Sequence, residues 1–340
     1  MKEGQKKVRV QDIAKALNIS ASTVSRALND HPRISKETKD KVKLAASRLG
    51  FQTGLPQLMN PEKAEAVVVL MPSLESNLYR EILSGASDYL HEHAFQTFVI
   101  DTRGDEEHAH AFFQSYKKYG ISGIIHLISN RNMPDDYYAL PLKDGLPLVT
   151  VCEPESNTGI STVLPDLFQG FFKIAQYLKS LGIKRIALLL EDESKPEDFQ
   201  IVSSFESAME TLEMDKNSLS VFWFGDERAW PEKSIEALLE GKESPQAVLV
   251  KGAHTAIEVM NIAEGLGLHI PDDLLLIAMG VESGVPGFAS NLSLLKIPAY
   301  EMGYAAAEMM LQQIQHPQSG RNTEVKPVQF ILKGSAIRMK

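Results

Sequence analysis

Only one cysteine, Cys152, occurs in the 340 residues, so the chain cannot close a disulfide on itself. That argues against a disulfide-stapled secreted scaffold and fits the reducing cytoplasm. No apolar run approaches the roughly 20 residues that a membrane-spanning helix needs, so no membrane partner is expected. The N-terminus is basic but has no apolar segment behind it, so an export signal is not expected. No G-x-G-x-x-G follows an expected strand, and neither a phosphate-binding loop nor a G-x-S-x-G elbow occurs. The close pairs His91/His93 and His108/His110 are spaced i, i+2, which does not put two ligands on one helix face. No further Cys or His run completes a metal set. The expectation is therefore no cofactor, no metal, no catalytic residues and no enzyme.

What the chain does have is an uneven distribution of charge. Residues 1–60 hold 12 basic and 5 acidic side chains, a balance of +7. The remainder holds 23 basic and 39 acidic ones, a balance of −16. A small basic block on a larger acidic body suggests a head that binds a polyanion. A solvated tail has the same charge, so the pattern within the block has to decide.

That pattern is three short helices, near residues 11–17, 21–28 and 36–49. Ile13, Ala14 and Leu17 make one apolar stripe, Val24, Ala27 and Leu28 a second, and Val42, Ala45, Ala46 and Leu49 a third. Asn18 breaks the first helix, Ile19 plugs the turn, and Ser20 and Ser35 are suited to cap the next two. Two short helices joined by a tight turn make a helix-turn-helix. A helix that lies deep in the major groove needs a small first turn, which Ala21 and Ser22 provide. Thr23, Ser25 and Asn29 have groups for phosphates, and Arg26 for guanine or phosphate. The bland alternative is a three-helix bundle whose polar residues only face water.

The stretch DIAKALNISASTVSRALN, followed by Arg33-Ile34-Ser35 and Thr38, resembles the N-terminus of the lactose and galactose repressor (LacI/GalR) family across about residues 9–51. The resemblance assigns Ser20, Ala21, Ser22, Thr23, Ser25, Arg26, Asn29, Arg33, Ser35 and Thr38 to the DNA surface. Of these, Ala21, Ser22 and Arg26 would touch bases. Val10, Ile13, Ala14, Val24 and Leu28 would be core. The implied partner is double-stranded operator DNA, bound by a homodimer, with a small-molecule effector of unspecified identity.

Gly54, Pro56 and Pro61 mark a boundary after the head. The expected division is a DNA-binding domain at 1–52, a hinge at 53–63 and a sensor domain at 64–340. In the similar family the hinge opens on a Pro-Asn pair and carries a leucine wedge for the minor groove. Here Thr53-Gly54 replaces the pair, and Leu58 is the candidate wedge. A plain flexible linker is the competing reading.

From about residue 65, apolar runs alternate with amphipathic stretches. Strands are expected at 66–71, 98–100, 123–128 and 148–151, with helices at 78–91 and 106–119. A second series has strands at 185–190, 219–224, 247–250 and 274–279, with helices at 166–180, 199–212, 234–239 and 254–265. Such alternation implies parallel sheets covered by helices, with a ligand site at the strands' carboxyl ends. The Met-rich helix near 300–313 reads as core or as a dimer face. The expected fold is an all-α helix-turn-helix head plus an α/β two-lobed, periplasmic-binding-protein-like sensor domain with parallel sheets. The family resemblance extends over this region and implies crossings between lobes near 156–162, 286–292 and 318–325.

The cleft departs from the similar family. Where that family has polar or charged groups, this chain has Cys152-Glu153, Leu167, Ile201, Gly252-Ala253, Gly280-Val281 and Ile297. An arginine replaced by Ile201 and an aspartate replaced by glycine remove charge-assisted hydrogen bonds, so a free sugar is not expected to bind in the usual way; a less polar ligand, a partner protein or no ligand are the alternatives. The candidate cleft residues are Asn77, Tyr79, Asp101, Glu153, Asp166, Phe168, Phe199 and Glu282. Two rivals remain: a binding protein with an incidental head, and an enzyme on a doubly wound fold.

Overall fold

The computed structural model of the chain describes residues 10–28, 34–49, 66–127, 137–152, 160–191, 195–225, 232–284, 287–318 and 320–338. The chain divides into two compact units, Met1–Lys63 and Ala64–Lys340.

The first unit holds α1 (Val10–Leu17), α2 (Ala21–Leu28) and α3 (Lys36–Leu49). The turn after α1 is closed by Asn18, whose φ of 51° is one that asparagine tolerates better than most residues. The Asn18 N–H donates to the Lys15 carbonyl at 3.3 Å and the Ile19 N–H to the Ala14 carbonyl at 3.1 Å. This pair of bonds is the left-handed C-terminal cap that satisfies a helix's last carbonyls. Ile13, Ala14, Val24, Ala27, Val42 and Ala46 then form a core with a stripe from each helix.

In the second unit the chain runs β1 (Ala66–Met71), α4 (Asn77–Glu92), β2 (Gln96–Asp101), α5 (Glu106–Phe113), β3 (Gly123–Leu127), α6 (Ala139–Lys143), β4 (Leu148–Val151) and β5 (Ser161–Asp166). It continues through α7 (Leu167–Ser180), β6 (Ile186–Leu190), α8 (Pro196–Thr211), β7 (Leu219–Trp223), α9 (Glu232–Glu240), β8 (Ala247–Lys251), α10 (Ala253–Gly265) and β9 (Leu275–Gly280). Then follow β10 (Ser293–Lys296), α11 (Ala299–Gln315), β11 (Thr323–Pro327) and β12 (Gln329–Ile331). Among the described residues the strands form two six-stranded sheets, β11-β5-β4-β3-β1-β2 and β12-β10-β9-β8-β6-β7. Strands β1, β3, β4 and β6 are buried along their whole length, which is why they read as apolar runs, interrupted only by His126 in β3 and Thr150 in β4. One buried cluster runs from Val67, Ile125 and Val149 of the first sheet to Leu188, Leu249 and Ile277 of the second.

Two expectations are corrected. The chain changes sheets later than expected, between β5 and β6, between β10 and β11, and at Val328 between β11 and β12. The described parts of those expected segments, 160–162 and 287–292, lead into β5 and β10, strands of the sheet that the chain has not yet left. Both sheets are parallel as expected apart from one edge strand, the three-residue β12, which runs antiparallel to β10. The helix expected over 106–119 ends at Phe113, and a 3-10 turn, Tyr116–Tyr119, follows and closes on Gly120 at φ 61°. Met302, Met309, Met310 and Leu311 of α11 are buried, which settles that helix as core.

Candidate functional site

The head presents α2 with Val24 and Ala27 buried and Ala21, Ser22 and Arg26 exposed. Small side chains at the first turn and one long cation a turn later are what groove entry requires. The Ser20 hydroxyl accepts from the Thr23 N–H at 3.0 Å and lies 2.8 Å from the hydroxyls of both Ser22 and Thr23. Ser20 therefore caps α2, and Thr23, half-buried, is tied to that cap. Ser35 repeats the arrangement on α3, accepting from the Thr38 N–H at 3.3 Å with the two hydroxyls 2.8 Å apart. Asn29, Arg33 and Leu58, and the side chains of Val10, Ser25 and Leu28, lie outside the described residues, as does the hinge.

In the second unit the candidate cleft residues sit in the segments at the carboxyl ends of the strands, but in different states. Asn77 opens α4 and accepts from the Arg80 guanidinium. Tyr79 is buried in the main core, and Phe168 packs against that core. Asp101 ends β2 and accepts from the Arg103 N–H at 2.9 Å. Asp166 ends β5 and caps α7, accepting from the Gln169 N–H at 3.1 Å. Phe199 is exposed in the first turn of α8. Glu282 pairs with Lys296 at 3.0 Å, and that ammonium holds its carboxyl below the ordinary glutamate range. Glu153 lies outside the described residues. Two of the eight, Tyr79 and Phe168, are thus committed to packing.

Six of the positions where the similar family carries polar groups are apolar and covered. Cys152, Leu167, Ile201, Ala253, Val281 and Ile297 are all buried. All but Ala253 belong to the cluster that joins the two sheets.

Sequence reasoning missed the polar group that does lie at this edge of the second sheet. Lys251, the last residue of β8, donates to Asp198 Oδ1 at 2.8 Å and lies 3.5 Å from Glu191 Oε1. Asp198 Oδ2 accepts from the Glu191 N–H at 3.1 Å. Lys195, the N-cap residue of α8, pairs with Glu191 Oε2. The available signal was a lysine that ends the buried run AVLVK, in a strand covered on both faces.

Comparison with known proteins accords with this architecture. Residues 9–54 match the bacterial regulatory proteins of the lacI family, and residues 175–336 match the periplasmic binding protein-like domain. The transcriptional repressor CytR of Escherichia coli K12 is 24% identical over 332 residues, covering 96% of this chain and 95% of its own. The lac repressor dimer bound to operator and an anti-inducer superposes with a TM-score of 0.71 at 18% identity, over 98% of this chain and 100% of that one. The complex of the transcriptional regulator CelR with cellobiose superposes with a TM-score of 0.69 at 18% identity, over 97% and 100%.

A helix-turn-helix head joined to a two-sheet binding-protein body defines a DNA-binding transcriptional regulator with a sensor domain. Its head is a lacI-family DNA-binding domain and its body a periplasmic binding protein-like domain.

Proposed function

We propose that this regulator acts in the cytoplasm as a homodimer on a palindromic double-stranded operator, without enzymatic activity. The observation that carries this reading is the two-faced α2, apolar where it meets α1 and α3 and small or cationic where it meets solvent. In this reading each head sets α2 in the major groove of one half-site. Ala21, Ser22 and Arg26 face base edges, and Ser20, Thr23, Ser25, Asn29, Arg33, Ser35 and Thr38 hold the backbone. Leu58 enters the minor groove from the hinge, so Leu58→Ala should reduce operator affinity and bending; no change in either would remove it from the interface. Selection from a random duplex pool at two salt concentrations tests the main reading. A two-half-site palindrome weakened by salt is expected. Salt-sensitive binding without sequence enrichment would sink it.

The cleft, in the same reading, is not a free-sugar site. A buried sugar hydroxyl needs fixed partners, and the positions for them carry buried apolar side chains. Any effector must bind the two states of the body unequally to change operator affinity.

A further inference from the structure

The ion pairs at the carboxyl edge of the second sheet have the geometry of a binding site that is already full. Asp198 is 0% exposed and the Glu191 side chain 8%, whereas Lys251 and Lys195 are 17% and 35% exposed. The carboxylates are therefore the buried anchors, and the ammonium groups reach them from the wetter side. Buried carboxylates persist as anions only when paired and hydrogen-bonded. Here one ammonium serves both, and in doing so it ties the end of β8 to the end of β6 and to the first turn of α8. These are the segment ends that a ligand contacts in an open α/β sheet.

We propose that Asp198 and Glu191 form an ammonium-binding site at the edge of the second sheet, which the chain fills with its own Lys251. Lys251 then stands in the place of a ligand. The three segment ends are held together without an effector, and a free sugar finds the two strongest acceptors of that edge taken. The inference rests on reading the chain as a regulator whose cleft is not a sugar site, and it adds the residue responsible and the chemical class that the site accepts, a primary ammonium.

The test uses the full-length protein, wild type and Lys251→Ala, with n-butylammonium, tetramethylammonium and cellobiose as probes. Calorimetry reads binding, and hydrogen exchange reads residues 186–191, 196–200 and 247–251. The wild type should take up none of the three. Lys251→Ala should exchange at residues 196–200 about 10-fold faster or more, because it removes the ammonium that Asp198 and Glu191 share and leaves Lys195 to serve Glu191 alone. It should bind n-butylammonium, which restores slow exchange, and not tetramethylammonium, which has no N–H to donate. Lys251→Arg should exchange like the wild type. A structural lysine alone would lose protection without gaining an amine site. The proposal is overturned by unchanged exchange in Lys251→Ala, by no uptake of n-butylammonium, or by cellobiose binding to the wild type. If Lys251→Ala does not fold, Asp198→Asn keeps the shape and removes one charge; faster exchange there supports the site and unchanged exchange overturns it. Failure of the wild type to enrich a palindrome would remove the regulator reading and leave the ammonium results to be judged separately.

Discussion

His126 shows what a single buried side chain contributes. It lies on β3 with Nδ1 2.7 Å from the Tyr138 hydroxyl and its ring 5.6 Å from Phe113 and 5.9 Å from Tyr137. Burial pushes its pKa from 6.5 down to about 3, so the folded ring stays neutral. Above pH 6.5 neither the folded nor the unfolded chain protonates it, and it adds no pH dependence. As pH falls below 6.5 the unfolded chain takes up a proton that the folded chain refuses until about pH 3. Stability is then lost at up to about 1.4 kcal/mol per pH unit. Urea unfolding at pH 7.5 and pH 5 should show this loss in the wild type and a shallower one in His126→Phe; equal losses would contradict the assignment. Arg26 is the opposite case, an exposed cation with no role in the core. Arg26→Ala should weaken operator binding by about 1–3 kcal/mol and relax preference at one base pair per half-site. Fluorescence anisotropy on operators varied one position at a time reads both. A loss spread evenly over all sequences would place Arg26 on phosphate instead.

Among the elements, the contact between α4 and α11 is the most exacting. A Cβ on Gly303 would lie 1.8 Å from the Ile82 carbonyl oxygen, and one on Gly85 would lie 2.0 Å from that of Tyr300. Both obstacles are backbone, so the helices must separate to admit even a methyl group. Gly303→Ala should therefore cost about 3 kcal/mol or more, the upper end for overpacking, measured as a shift in the denaturation midpoint. Tyr300→Phe at the rim of the same contact removes only an exposed bond to Asp88 of 2.9 Å, and should cost about 1 kcal/mol or less. If Gly303→Ala were as mild as Tyr300→Phe, the helices would not be in backbone contact. None of this closeness is legible in the sequence, since a glycine in a helix looks the same whether it faces a neighbour or water. The buried strands were legible, because β1, β3 and β4 are short and almost wholly apolar runs, as strands covered on both faces are. The strands at the crossings were not: β5 contains Pro165, β11 alternates Thr, Glu, Val, Lys and Pro on an exposed edge, and β12 has three residues. Short or edge strands carry little periodicity, and so the sequence pattern places the lobe changes too early. In the cleft the replaced polar positions could be read one at a time. The Lys251–Asp198 pair could not, because it joins residues 53 apart through the neighbouring strands β6 and β8.

For the whole molecule, the separation of charge decides how it meets DNA. The first 60 residues carry +7 and the rest −16. An acidic body is repelled by the polyanion, so contact through the head is favoured and non-specific coating is opposed. Each phosphate neutralised by the head releases condensed counterions, and the salt dependence of affinity counts them, with a slope of about −0.9 per contact. A dimer that docks both heads makes twice the contacts of one head. The slope of log affinity against log salt on an intact palindrome should therefore be about twice that on a duplex carrying a single half-site. Fluorescence anisotropy from low to physiological salt, on the two duplexes in parallel, gives the ratio. A ratio near two requires both heads to be engaged at once. Equal slopes would mean that one head binds while the other stays free, and the palindromic dimer would then have to be given up even if Arg26 and the rest of α2 read sequence as argued.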